Sequence, residues 1–289
     1  MIEKLVDLKN YQGEDRIVHF TDYMLSRSHE RDVKNFKSGF EIFDTKIGGM
    51  ETGEVVVISG KTKMGKTLFA ESWLHGILLK DSSIRSMILS FEVPTEKLLL
   101  KYVMEPEREI YVPMNLKTMD FEWLLNRVME GIIKHNARIL LIDHLHFMVD
   151  MNTNQNMSLN IGAFMRRLKK DIAIDLGIAV ILIAHQGQLV EGRDATVNTI
   201  RDSSFIAQES DSIITVTRKK NSSSKEEEKI RAKCGDEFMD MLLKKIDPAD
   251  VDDEYSMGLS LVSIERTRRT GVFDYKKLFW KSGRFLEEI

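Results

Sequence analysis

The sequence predicts an α/β fold: a doubly wound, mainly parallel sheet with helices on both faces and antiparallel strands at its C-terminal edge. Three observations predict it. Short β-branched apolar runs alternate with stretches of helical periodicity from residue 55 to residue 217. These runs are apolar at nearly every position, as strands covered on both faces must be. The first of them leads directly into a glycine-rich turn and then a helix.

Residues 1–38 read as an N-terminal extension. Phe20 to Leu25 could form a short helix, and a charged stretch from Ser26 to Lys37 follows. Such a segment serves either as an arm docking on a neighbouring subunit or as a helix packed on its own domain. The main domain, 39–289, opens with a short helix over 40–47, ended by Gly48 and Gly49. Strands are expected at 55–59, 86–91, 138–143, 178–184 and 211–217, with helices over 66–80, 94–104, 120–135 and 158–176. Residues 219–256 break the pattern with serines, a Lys-Glu run and an acidic stretch, and read as an exposed insertion. Strands over 258–266, 272–280 and 284–287 close the chain, with a hairpin turn at Ser282-Gly283.

Composition narrows the function classes. The 289 residues suffice for one large α/β domain and a short extension. No apolar run is long enough to span a bilayer. The N-terminus lacks the basic-then-apolar layout of a signal peptide. Cys234 is the only cysteine, which excludes an internal disulfide and a cysteine-based zinc site. A cytoplasmic protein without membrane partners is the simplest expectation. A net charge of −3 argues against a broadly basic nucleic-acid surface, so any such contact must come from local loops on several subunits.

The chemistry starts at Gly60-Lys61-Thr62-Lys63-Met64-Gly65-Lys66-Thr67, which fits GxxxxGK[ST]. Glycines allow successive backbone N–H groups to turn inward around phosphates. Lys66 can reach the β- and γ-phosphates, and the Thr67 hydroxyl can hold Mg²⁺. The helix beginning beyond Gly65, through Leu68, aims its positive end at the same anion. A chance match in a chain of this length is on the order of 1 in 100. Phosphoryl transfer also needs a carboxylate for the metal's water shell, and Asp143 ends the apolar strand Ile139 to Ile142. Glu92, just past the strand ending at Phe91, is placed to orient or activate water.

With these elements in place, the chain resembles the C-terminal ATPase domain of bacterial and phage replicative helicases of the DnaB type, a RecA-like fold. The resemblance runs from about Phe36 to Leu286, without the insertion. Ser38-Gly39-Phe40-Glu41-Ile42-Phe43-Asp44 resembles the family's TG[YF]xxLD opening, and Ile88 to Pro94 its FSLEMP segment. Leu141-Ile142-Asp143-His144-Leu145 resembles VIDYLQL. Thr199 to Asp211 resembles DLRESGxIEQDAD across its whole length.

The resemblance implies roles residue by residue. Lys66 and Thr67 would hold ATP and Mg²⁺, Asp143 would complete the metal site, and Glu92 would activate water. In a RecA-type sheet, the Glu92 strand is expected beside the P-loop strand. His185 falls where the family has a γ-phosphate sensor. Arg266 and Arg268 fall where a basic pair reaches a neighbour's nucleotide, an arrangement worth about 10³–10⁵ in rate. Lys101 stands where an Arg often contacts nucleotide. Loops 150–158 and 187–199 would meet single-stranded DNA, with Arg193 and Arg201 as basic candidates.

The implied activity is a Mg²⁺-dependent helicase acting as a ring, with a hexamer favoured. A primase or a helicase loader is the expected partner. The family's large N-terminal domain has no counterpart in this sequence, which suits a phage or mobile-element helicase or an ATPase beside a separate primase. Two other readings fit the same residues: a recombinase-like or KaiC-like ATPase, and a nucleotide-binding adaptor that does not unwind.

Overall fold

The computed structural model describes residues 12–13, 16–22, 33–99, 108–149, 157–185, 203–218, 258–281 and 284–287. The chain divides into two units, Met1–Lys34 and Asn35–Ile289. Described parts of the first unit include a helical turn at residues 20–22 and the Arg16 N–H donating to the Gly13 carbonyl at 3.1 Å. The second unit carries everything that follows.

It opens on β1 (Asn35–Phe36), a π-helical turn (Ile42–Lys46) and β2 (Met50–Glu51). β1 pairs antiparallel with β2, so residues read from the sequence as part of the extension pack within the larger unit. Asp44 organises this segment. Its carboxylate accepts from the amides of Ser38 (2.8 Å) and Gly39 (2.7 Å).

The alternating part then runs β3 (Val55–Gly60), α1 (Lys66–Lys80), β4 (Ser86–Ser90), α2 (Thr95–Leu99), β5 (Ile110–Tyr111), α3 (Phe121–His135) and β6 (Ile139–Asp143). A 3₁₀ turn follows at Leu145–Phe147, then α4 (Met157–Arg167), which widens into a π-helix over Leu168–Ile174. β7 (Ala179–His185), α5 (Ser203–Glu209) and β8 (Ser212–Arg218) complete it, and β9 (Gly258–Thr267), β10 (Asp274–Lys281) and β11 (Arg284–Glu287) close the chain. Local chemistry explains the helix ends. Asp120 caps α3 by accepting from the Trp123 amide at 2.8 Å, and Asn136 ends it in the left-handed region.

Among the described residues one nine-stranded sheet forms, in the order β11-β10-β9-β8-β3-β7-β6-β4-β5. Strands β8 through β5 in that order are parallel; β9, β10 and β11 add antiparallel at one edge. This is the doubly wound sheet with an antiparallel C-terminal edge that the sequence predicts. One expectation is corrected. The Glu92 strand, β4, does not neighbour the P-loop strand β3, because β7 and β6 lie between them. Crossovers set strand neighbours, and linear order does not reveal how later strands insert.

Side chains alternate between two cores. Val56 and Ile58 face one side with Phe69, Trp73 and Ile77 of α1. Val55 and Val57 face the other with Leu124 of α3, Met165 of α4 and Ile206 of α5. Burial on both faces accounts for the unbroken apolar runs. Phe43 stacks on Trp73 at 5.1 Å, which fastens the π-helical turn to α1. Arg269, in the turn after β9, ties down the segment around β2. Its guanidinium donates to the carbonyls of Ile47 and Gly49 and pairs with Glu51. The expected insertion, 219–256, lies outside the described residues.

Candidate functional site

The site is built where three strands end together. Gly60 of β3 is in register with His185 of β7, and Asp143 of β6 with Ile183 of β7. In an open parallel sheet the carboxyl ends of central strands form the ligand crevice. Here they bring together residues from three distant parts of the chain.

The loop after β3 ends at Gly65, whose φ of 85° is left-handed and which serves as the N-cap of α1. Glycine takes that conformation without steric penalty. The first turn of α1 presents N–H groups that have no helical acceptor, together with the positive end of the helix dipole. Lys61, Thr62 and Lys63 are exposed on the loop, while Met64, Gly65, Thr67 and Leu68 are partly buried, as one buried position, Lys66, sits among them.

Lys66 is buried, with 4% of its surface exposed. Its ammonium donates to the Lys61 carbonyl at 3.0 Å and lies 3.3 Å from Nδ1 of His185. Burial pulls its pKa below the ordinary lysine value, against the opposing pull of Glu92 and Asp143. The Thr67 hydroxyl stands 3.3–3.4 Å from the two carboxylate oxygens of Asp143, which is fully buried. A hydroxyl and a carboxylate converging at the start of this helix are hard oxygen donors of the kind Mg²⁺ takes.

Glu92 comes from the turn beyond β4. The Ser90 hydroxyl donates to the Val93 carbonyl at 2.6 Å and fixes that turn. β4 pairs with β6, with Ser90 opposite Asp143, and the Phe91 amide donates to the Asp143 carbonyl at 2.5 Å. Glu92 therefore reaches the crevice from beside the Asp143 strand. Its Oε2 lies 2.6 Å from Nδ1 of His144 and 3.8 Å from Nε2 of His185.

Sequence reasoning does not single out His144. It follows Asp143, is almost fully buried, and stacks on His185 at 4.2 Å with a 14° angle between rings. The available signal is a His-Leu-His run directly beyond a strand ending in Asp. His146 of that run lies 5.5 Å from the His185 ring. The pKa of His185 is pushed down to about 3, first by burial and then by His144, Lys66 and His146. His185 is thus neutral at neutral pH, as accepting a hydrogen bond from Lys66 requires.

Arg266 and Arg268 do not join this group. They sit where β9 meets the amino end of β8, with Arg266 opposite Ile213. That is the opposite end of the parallel strands from Gly60, since Ser212 is in register with Val56. Arg266 donates to the Ala207 carbonyl at 2.7 Å, and Arg268 lies 4.0 Å from Asp211. Lys101, Arg193 and Arg201, and nearly all of the two loops expected to meet DNA, lie outside the described residues.

The family described as "DnaB-like helicase C terminal domain" matches residues 35–113 and 107–246. The replicative DNA helicase DnaB of Pasteurella multocida (strain Pm70) is 22% identical over 220 residues, covering 64% of this chain and 47% of that protein. DnaB of Treponema pallidum (strain Nichols) is 23% identical over 226 residues, covering 67% and 50%. The chain spans about half the length of these relatives. Among solved structures, one described as an ATPase domain matches with a TM-score of 0.65 and 18% identity, over 93% of this chain and 97% of that one. A DnaB-like replicative helicase, described with its interactions with primase, matches with a TM-score of 0.65 and 17% identity over 100% of this chain and 71% of that one. The two structures share the RecA-like ATPase fold, and by its matched residues the chain belongs to the DnaB-like helicase C-terminal domain family.

Proposed function

We infer that this chain is the motor of a replicative DNA helicase, hydrolysing ATP at contacts between subunits of a ring to move along single-stranded DNA. The observation that carries this reading is the convergence of Lys66, Thr67, Glu92, Asp143 and His185 at the carboxyl ends of neighbouring strands. The helix start and the loop from Gly60 to Leu68 would bind the triphosphate. Lys66 would exchange the Lys61 carbonyl and His185 for phosphate oxygens. Thr67 and Asp143 would hold Mg²⁺, which neutralises phosphate charge when bound.

Glu92, 43% exposed at its side chain, is open to the crevice and would orient and deprotonate the attacking water. His185 would give up its Lys66 contact when phosphate arrives and would report the γ-phosphate to the chain beyond β7, where Arg193 and Arg201 would meet DNA. Lys101 would add a nucleotide contact.

Arg266 and Arg268 lie at the wrong end of the sheet to serve their own P-loop. A head-to-tail neighbour could bring them to it. Such contacts close into rings, and a hexamer is the form favoured. The primase named with one structural neighbour suggests a primase or loader partner here as well.

The test is ATP turnover with and without single-stranded DNA, beside Glu92→Gln. The parent chain is expected to turn over faster with DNA. The variant should bind nucleotide normally but lose roughly 10²–10⁴ in rate. Equal rates would remove Glu92 from the mechanism. Binding without turnover in the parent would instead favour a nucleotide-holding adaptor, and strand exchange without unwinding a recombinase-like ATPase.

A further inference from the structure

Within this crevice a second set of ligands adjoins the oxygen donors Thr67 and Asp143, with Nδ1 of His144 in contact with the Asp143 carboxylate. Glu92, His144 and His185 each offer one ligand atom, and the three atoms lie within 4.8 Å of one another. The separations bracket the spacing of roughly 3.3 Å that donors take around a tetrahedral ion with bonds of about 2.0–2.1 Å. Glu92 Oε2 to His144 Nδ1 is 2.6 Å, and Glu92 Oε2 to His185 Nε2 is 3.8 Å.

His144 supplies an independent observation. Its side chain is 2% exposed, yet neither ring nitrogen has an aligned hydrogen-bond partner. Its Nε2 has no polar partner, which is costly in a buried imidazole unless something else engages the ring. Its Nδ1 approaches Glu92 and Asp143 closely without that alignment.

We propose that Glu92, His144 and His185 form a binding site for a borderline-soft divalent cation of the Zn²⁺ class, and that its occupation restrains the Glu92 carboxylate. Two imidazoles and one carboxylate select such ions over Mg²⁺, which takes oxygen ligands. Three protein ligands leave a fourth position for water. The site is reachable from solvent through Glu92. Ligation through Nε2 of His185 places the ring proton on Nδ1. The ring can then no longer accept from Lys66, so the ion and the Lys66–His185 hydrogen bond exclude one another. Once Lys66 has moved to a phosphate that conflict is gone. The ion would therefore bind best when nucleotide is present, and would hold the site loaded but idle.

The expected loss of turnover rests on the role of Glu92 inferred above; the binding of the ion does not. The test titrates Zn²⁺ into the full chain, with a non-hydrolysable ATP analogue and excess Mg²⁺ present, against a chromophoric indicator, with Co²⁺ as a visible-absorption probe of geometry. One equivalent with intense, tetrahedral-type Co²⁺ bands is expected. Glu92→Gln and His185→Gln should each weaken Zn²⁺ by roughly 10–100-fold or more, with circular dichroism unchanged. Cys234→Ser should leave it as it was. No binding by the parent chain, or equal affinity in both ligand variants, overturns the site. In parallel, micromolar Zn²⁺ under excess Mg²⁺ should suppress ATP turnover, and a chelator should restore it. Occupation of the site with undiminished turnover would uphold the site and sink the role of Glu92. Loss of turnover in Glu92→Gln without Zn²⁺ binding would do the reverse.

Discussion

His185 shows how a single residue can carry a condition into the site. Burial holds its pKa at about 3, well below the 6.5 of an unburied histidine. Between those values the unfolded chain binds a proton that the folded chain refuses. The sign follows from linkage: this group's contribution is unaltered above about pH 6.5, and stability is lost as pH falls from there toward 3. His185→Gln should flatten that part of the profile. Urea midpoints of the two proteins compared across the acid range measure it. The parent should lose ground to the variant on acidification, and parallel curves would mean that the ring titrates in the folded state. The P-loop motif is legible in the sequence because consecutive residues make it. The grouping of His144 with Glu92 and His185 is not, because those residues are remote in sequence and meet only in the fold.

At the scale of elements, Asp211 joins pieces that the sequence leaves far apart. Its Oδ2 accepts from the Val55 amide at 2.7 Å and from Lys169 at 2.6 Å. Lys169 also donates to the Gly53 carbonyl at 2.7 Å, and the Arg268 amide donates to the Asp211 carbonyl at 2.7 Å. One residue thus sets the start of β3 and the π-helix after α4 through its carboxylate, and the end of β9 through its carbonyl. The side chains of Lys169 and Asp211 are only 16% and 13% exposed, so removing one charge strands the other. Asp211→Ala is expected to destabilise the fold by on the order of 3 kcal/mol, read from chemical denaturation. A change under about 1 kcal/mol would show that solvent already screens the pair. The elements themselves are legible: strand runs at β3, β4, β6, β7 and β8 fall within a residue or so of expectation, because apolar period and length report local structure. The π-helical widening over Leu168–Ile174 is not, since the sequence there keeps an ordinary helical period.

At the scale of the larger unit, two groups of residues lie at opposite ends of the sheet. The cradle sits at one end of the parallel strands and the Arg266–Arg268 pair at the other. If neighbouring copies share the chemistry, Lys66→Ala and Arg268→Ala should each be inactive alone. Mixed together they should recover turnover, because some contacts then combine an intact P-loop with an intact arginine. DNA-stimulated ATP hydrolysis of the mixture measures this. No recovery, with mixed oligomers verified by sedimentation, would mean that each chain works on its own nucleotide.

The linear chain by itself determined the alternation of strands and helices, the glycine-rich turn into a helix and the acidic strand end, because each is written in adjacent residues with a fixed period or spacing. The tertiary structure alone decided that β7 and β6 stand between β3 and β4, and that Glu92 approaches from the side of Asp143. It also decided that two histidines stack beside that carboxylate. The reason is physical: crossover order and side-chain convergence depend on how both faces of the sheet are covered at once, which no local stretch of sequence encodes.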